Sequence, residues 1–168
     1  MRLYLLWVLT KNSSEIKIME SKHIVWSYIE RKLAEKSIFN ADTGCLVWRG
    51  AKSSRKSLVY GKLRVRLPTH HASKSHYVHR LAYMCKTQTE ISHENRVSHL
   101  CNNSLCIAPG HVHLETLSVN VRRRTCFQFG VCLGHDSEPH CVSMYLFKNC
   151  TFIYVKQFNV HTNKQINR

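Results

Sequence analysis

Apolar residues recur at helical spacing in "SKHIVWSYIERKLAEKS", where Val25, Ile29 and Leu33 fall four apart with Trp26 beside them. That spacing predicts an amphipathic helix, and Ser21 stands where an N-cap hydroxyl would. The next segment, "DTGCLVWRGAKSSRKSLVYGKLRVRL", begins with a turn signal at Thr43–Gly44 and carries a polar, basic loop at 51–57. In "YGKLRVRL" the period drops to two. Leu63, Val65 and Leu67 take one face of a strand, and Lys62, Arg64 and Arg66 take the other. "HYVHRLAYMCK" returns to helical spacing, with Val78, Leu81, Ala82 and Cys85 on one face and Arg80 off it. "RVSH" and "HVHLETL" are short β-like runs that can pair as a hairpin. "SVNVRRR" then opens a helix, with Ser118 as its cap and Asn120 in its first turn. The pattern predicts one small α+β domain. No internal repeat divides the 168 residues, a length that supports one modest core.

Charge changes the picture. Lys and Arg number 25 against 10 Asp and Glu, a formal +15. Such an excess fits a phosphate-bearing partner, most simply nucleic acid. The cationic face of Lys62, Arg64 and Arg66 is either a solvated outer face or a DNA contact. A two-stranded β-ribbon fits the major groove, where Arg reaches guanine edges and phosphates. A membrane surface is the weaker alternative, because no basic amphipathic helix stands out and no stretch is long enough to span a bilayer. The start, "MRLYLLWVLTKNSS", has a lone Arg, an apolar run of about seven residues and no small-residue cleavage site, so no secretory signal is expected. The expected compartment is the nucleus in a eukaryote and the cytoplasm otherwise.

Eight cysteines and twelve histidines then suggest metal rather than disulfides. Within "RVSHLCNNSLCIAPGHVHLETLSVN", Cys101 and Cys106 are separated by the same gap as Cys106 and His111. Thiolate and imidazole at such spacing suit tetrahedral zinc, and a fourth ligand must come from Cys45 or Cys85. Cys45 lies beside a turn, from which it could swing toward the loop. Cys85, on an apolar helix face, reads as a small buried hydrophobe. Downstream, "CFQFGVCLGHDSEPHC" offers Cys126, Cys132, His135 and Cys141, with His140 a rival to His135. The competing reading of both sets is free buried thiols. A fully ligated zinc is structural, worth on the order of 10 kcal/mol of folding free energy.

His99, closing "RVSH", and Asn120, on the following helix, remain outside both sets. At this point "SHLCNNSLCIAPGHVHLETLSVN" resembles the core of the His-Cys box homing endonucleases, a branch of the His-Me finger (ββα-metal, HNH-like) nucleases. The resemblance extends through "GCLVWRGAKS", "YGKLRVRL" and "VHRLAYM" upstream and "RRRTC" downstream, over roughly residues 44–141. It implies a zinc-stabilised domain with an antiparallel DNA-binding sheet and a ββα-metal core. His99 matches the general base, and Asn120 matches the ligand of a catalytic divalent metal, usually Mg²⁺. Cys45, Cys101, Cys106 and His111 match one structural zinc site, and Cys126, Cys132, His135 and Cys141 match the other. The family also places an arginine near the scissile phosphate, for which Arg64, Arg66 and Arg80 are the candidates.

The implied domain spans 21–141, after an uncharacterised segment at 1–20. Relatives dimerise through exchanged C-terminal tails, so 142–168 is expected to be such an arm, a local hairpin turning near Lys148–Asn149, or non-functional sequence. The expected activity is site-specific cleavage of double-stranded DNA by a homodimer. The alternatives are a zinc-stabilised DNA-binding module that no longer cuts and an HNH-type nuclease of relaxed specificity.

Overall fold

Helix α1 (Ser13–Glu35) supplies Trp26, Ile29 and Leu33 to the core, at the positions the apolar spacing marks. The computed structural model describes residues 13–55, 58–132 and 134–142. The leader-like run at the start and the expected arm or hairpin at Lys148–Asn149 lie outside the described residues. Ser21 is not a cap, because the helix runs through it from further upstream. "SSEIKIME" contains Glu, Lys and Met and neither Gly nor Pro, so nothing in it ends a helix.

Strand β1 (Ser37–Asn40) pairs antiparallel with β2 (Cys45–Trp48), with Ser37 opposite Trp48 and Asn40 opposite Cys45. Between them the Asn40 side-chain oxygen accepts from the Thr43 backbone N–H and hydroxyl, both at 3.0 Å. Gly44 completes the turn at φ +65°, a conformation that disfavours any side chain. The second sheet has the order β3 (Lys52–Arg55), β4 (Leu58–Val65), β5 (Lys74–Tyr77), all antiparallel. It corrects two expectations. The basic stretch at 51–57 is not simply a loop, since most of it forms β3. The ribbon is therefore three strands wide. An edge strand lacking an apolar face shows no period-two signal, and its pairing to β4 alone defines it.

β4 keeps the expected alternation. Val65 is buried, as is Leu67 just beyond the strand, while Arg64 and Arg66 are exposed. Gly61 sits where β4 crosses the core, and a Cβ there would lie 2.5 Å from both Trp48 and Val78. β5 runs directly into α2 (Val78–Thr87), which buries Val78, Leu81, Ala82, Met84 and Cys85. Between α1, α2, Trp48 and β4 lies the core, closed by Val97, Ile107 and Val112. Full burial of one such aliphatic side chain contributes roughly 1.5–3 kcal/mol.

Beneath this core, β6 (Arg96–His99) pairs with β7 (Val112–Glu115), and α3 (Leu117–Phe129) follows. The cap of α3 is Thr116, whose hydroxyl accepts from the Val119 N–H at 3.3 Å, and not Ser118. The helix begins as soon as β7 ends, which leaves Thr116 the only hydroxyl at the junction. Three antiparallel sheets and three helices thus make a small α+β fold among the described residues.

Candidate metal centres and the cleft beside them

The loop between β6 and β7 carries no regular structure, and it is held at both ends. Leu100 N–H donates to the His111 carbonyl at 2.8 Å, closing the hairpin. Trp48 N–H donates to Leu105, and Ile107 N–H to Leu46, which docks the loop on β2. That docking brings Cys45, at the start of β2, to Cys101, Cys106 and His111. Their ligand atoms all lie within 4.8 Å of one another. His111 Nδ1 is 3.5 Å from Cys45 Sγ and 3.6 Å from Cys106 Sγ. Tetrahedral zinc with ordinary bond lengths spaces sulfur and nitrogen about 3.5 Å apart, so the four residues fit that ion. The Cys106 thiol is drawn down to about 5, chiefly by the Cys101 thiol bonded to it, and Cys101 is pushed up in turn. Burial raises Cys45.

Cys85 is not part of this set. Its thiol faces the Trp26 carbonyl at 3.8 Å, and burial pushes it up to about 12. It is a packed thiol, and the fourth member of the set is Cys45.

The second set forms where the end of α3 meets the loop after it. His135 Nε2 lies 3.5 Å from Cys126, 3.3 Å from Cys132 and 3.4 Å from Cys141, again the spacing of a tetrahedral site. His135 is buried and completes the set, whereas His140 is exposed with its Nδ1 3.8 Å from Cys132. Burial opposes ionisation of Cys132, but the backbone N–H groups of Cys141 and Gly134 outweigh it and bring the thiol to about 7. Burial takes Cys141 up to about 12. The two Cys₃His sites fit two zinc ions.

A buried ion pair links this loop to the β-hairpin. Arg123 Nε donates to both Glu115 carboxylate oxygens at 3.0 and 2.8 Å, and its terminal nitrogen adds a third bond at 2.6 Å. The other terminal nitrogen reaches the Pro139 carbonyl at 2.8 Å. Helix, hairpin and second metal loop are thus tied to one another through one guanidinium.

His99 and Asn120 face a common cleft of about 1040 Å³. The His99 Nε2 is shielded from solvent and has no hydrogen-bond partner. The neighbouring Cys106 backbone favours the charged ring. Burial prevails, and the imidazole falls to about 4. It is neutral at pH 7. Asn120 projects from the first turn of α3 and has no side-chain partner among the described residues.

Other expected residues lie elsewhere. Lys62 and Arg64 share their face of β4 with Tyr60, which lines the cleft. The Lys62 ammonium sits 5.3 Å from the Tyr77 ring centre. Arg64 on β4 and Arg66 just past its end are exposed and do not line the cleft. Arg80 lines the cleft, but its guanidinium donates to the Asn95 and Ser92 carbonyls at 2.6 and 2.7 Å. Two residues escaped the sequence reading. His79 packs its ring 4.7 Å from His99, and burial holds it well below the ordinary histidine value. Tyr60 closes the same aromatic wall, 6.4 Å from His99. The only available signal for His79 was a second histidine on the buried side of a helix.

Residues 44–162, more than half of the chain, match the family described as the zinc-binding loop region of homing endonuclease. Neither a curated protein nor a solved structure matches the chain. No helix among the described residues is long and apolar enough to cross a membrane.

Proposed function

Since the chain belongs to the family of the zinc-binding loop region of homing endonuclease, we propose that it is a site-specific endonuclease that hydrolyses phosphodiester bonds of double-stranded DNA. The observation that carries this reading is the state of His99. It is a neutral imidazole with an unbonded Nε2, placed in one cleft with an unpartnered amide.

Phosphodiester hydrolysis needs an activated water, attack in line with the leaving 3′ oxygen, and relief of charge on the phosphate. His99 Nε2 accepts the proton of the attacking water. An Nδ1–H directed at the Cys106 backbone would fix the tautomer and the ring's aim, and Cys106 belongs to the first metal set. Cys45, Cys101, Cys106 and His111 would hold a zinc ion that steadies the loop beside the base without entering the chemistry. A positioned base of this kind contributes about 10²–10⁴-fold.

The Asn120 amide oxygen is a hard donor suited to Mg²⁺, an ion that keeps most of its waters and takes few protein ligands. Held there, the ion would neutralise charge on the phosphate and the leaving oxygen. Lys62, Arg64 and Arg66 extend the cleft along the sheet and would neutralise flanking phosphates. Arg80 stays a candidate for the scissile phosphate only if it leaves its two carbonyls. One cleft serves one strand, so cutting both antiparallel strands calls for a two-fold pair of chains, a homodimer on a pseudo-palindromic site.

The test is Mg²⁺-dependent plasmid cleavage by wild type, His99→Ala and Asn120→Ala. Each variant should lose about two to four orders of magnitude in rate while retaining zinc and DNA affinity. A His99→Ala protein that cuts like wild type, or that releases zinc, overturns the assignment. A wild type that binds DNA and never cuts identifies a binding module instead.

A further inference from the structure

Helix α3 carries three consecutive arginines, and the fold sends each to a different place. Arg122 pairs with Asp136 at 2.6 Å. Arg123 is buried on Glu115. Arg124 is exposed, lines the cleft with His99 and Asn120, and has no side-chain partner among the described residues. It stands one helical turn after Asn120, at i+4, so the two side chains leave the same face with Cβ atoms about 5–6 Å apart.

We infer that Arg124 contacts the scissile phosphate and is a catalytic residue. The inference rests on the nuclease reading and assigns a role that the strand arginines do not fill. Attack on a phosphodiester places growing charge on the non-bridging oxygens. A guanidinium meets two such oxygens with two parallel N–H donors, which an ammonium cannot do.

The other cations near the cleft are less suited. Arg80 and Arg123 have their guanidinium groups engaged by the protein. Arg96 also lines the cleft but lies three residues before His99 on β6, about 10 Å away along the strand. Arg64 lies four residues beyond Tyr60, about 13 Å along β4, within reach of a neighbouring phosphate rather than the one at His99. Arg124 alone combines a free guanidinium with a place beside Asn120. The Arg123–Glu115 pair, one residue earlier, anchors the helix turn that presents it. His99 from β6 and the Asn120–Arg124 pair from α3 would then hold the phosphate between them.

Single-turnover cleavage at saturating DNA and Mg²⁺ tests this with wild type, Arg124→Ala, Arg124→Lys and Arg122→Ala. Arg124→Ala should lose about 10²–10³-fold in rate, the cost of removing one preorganised donor, with zinc content and DNA affinity nearly unchanged. Arg124→Lys should recover part of the rate, added guanidinium ion should partly rescue Arg124→Ala, and Arg122→Ala should cut normally. An Arg124→Ala rate within about threefold of wild type overturns the inference, as does a loss confined to affinity. Should Arg124→Ala lose zinc, Arg124→Lys decides, because a wild-type rate there removes the need for a guanidinium. Failure of the nuclease reading is distinct: the wild type itself would not cut.

Discussion

Replacing Arg123 by alanine should cost about 3–5 kcal/mol of stability, the penalty for stranding one member of a buried ion pair. The Arg123 side chain is 2% exposed and that of Glu115 is 0% exposed. Burial is the largest influence on the guanidinium and opposes its charge, yet the Glu115 carboxylate outweighs it and raises the pKa. Without Arg123, Glu115 must take up a proton or remain charged in a dry site. The Pro139 carbonyl and the Cys141 thiol also lose their donor, at 2.8 and 3.6 Å. Cys141 is a ligand of the second metal set, so zinc should bind there more weakly. The assay is urea unfolding followed by tryptophan fluorescence, at one fixed free-zinc concentration because zinc bound to the folded state adds its own stability. Arg122→Ala is the control. Its pair with Asp136 is 49% and 74% exposed, and such pairs contribute at most about 1 kcal/mol. The double variant Arg123→Met, Glu115→Leu should recover most of the loss, since apolar replacement of a whole buried pair is often neutral. A cost for Arg123→Ala no larger than about 1 kcal/mol, with zinc unchanged, would refute the reasoning.

Elemental analysis should find two zinc ions per chain, one of them lost in Cys45→Ser and both kept in Cys85→Ser; the reverse would misplace the fourth ligand. Replacing Lys62, Arg64 and Arg66 together should flatten log K against log salt by up to about 0.9 for each phosphate they neutralise. A flat response in the wild type would argue against nucleic acid as the partner. Gly61→Ala should destabilise by about 1–3 kcal/mol in chemical denaturation, because its Cβ meets Trp48 and Val78 where neither can retreat. No change would mean that the crossing is looser than its 2.5 Å approach implies.

Local pattern was enough where one face of an element is buried. Val25, Ile29 and Leu33 on α1, Val65 on β4 and Leu81 on α2 reveal themselves because burial selects every third, fourth or second residue. The ligand sets were legible for a related reason, since seven of the eight ligands lie within 101–141 and metal chemistry restricts them to Cys and His. Elements without an apolar stripe stayed hidden. β3 is polar throughout, β1 exposes Ile38 and Phe39, and the start of α3 depends on where β7 ends.

Four decisions belonged to the tertiary structure. Cys45 rather than Cys85 joins the first metal set because β2 docks on the loop through Trp48 and Ile107, a contact between segments far apart in the chain. His135 rather than His140 joins the second because only one of them is turned inward. His99 is neutral because hairpin, helix and aromatic wall close around it, which no reading of its neighbours in sequence could supply. The arginine run on α3 divides three ways because adjacent helical residues point about 100° apart, toward a loop, a buried glutamate and the cleft. Periodicity reports which side of an element is dry, whereas partners for thiols, imidazoles and guanidinium groups are chosen by whatever the folded chain brings within a few ångströms of them.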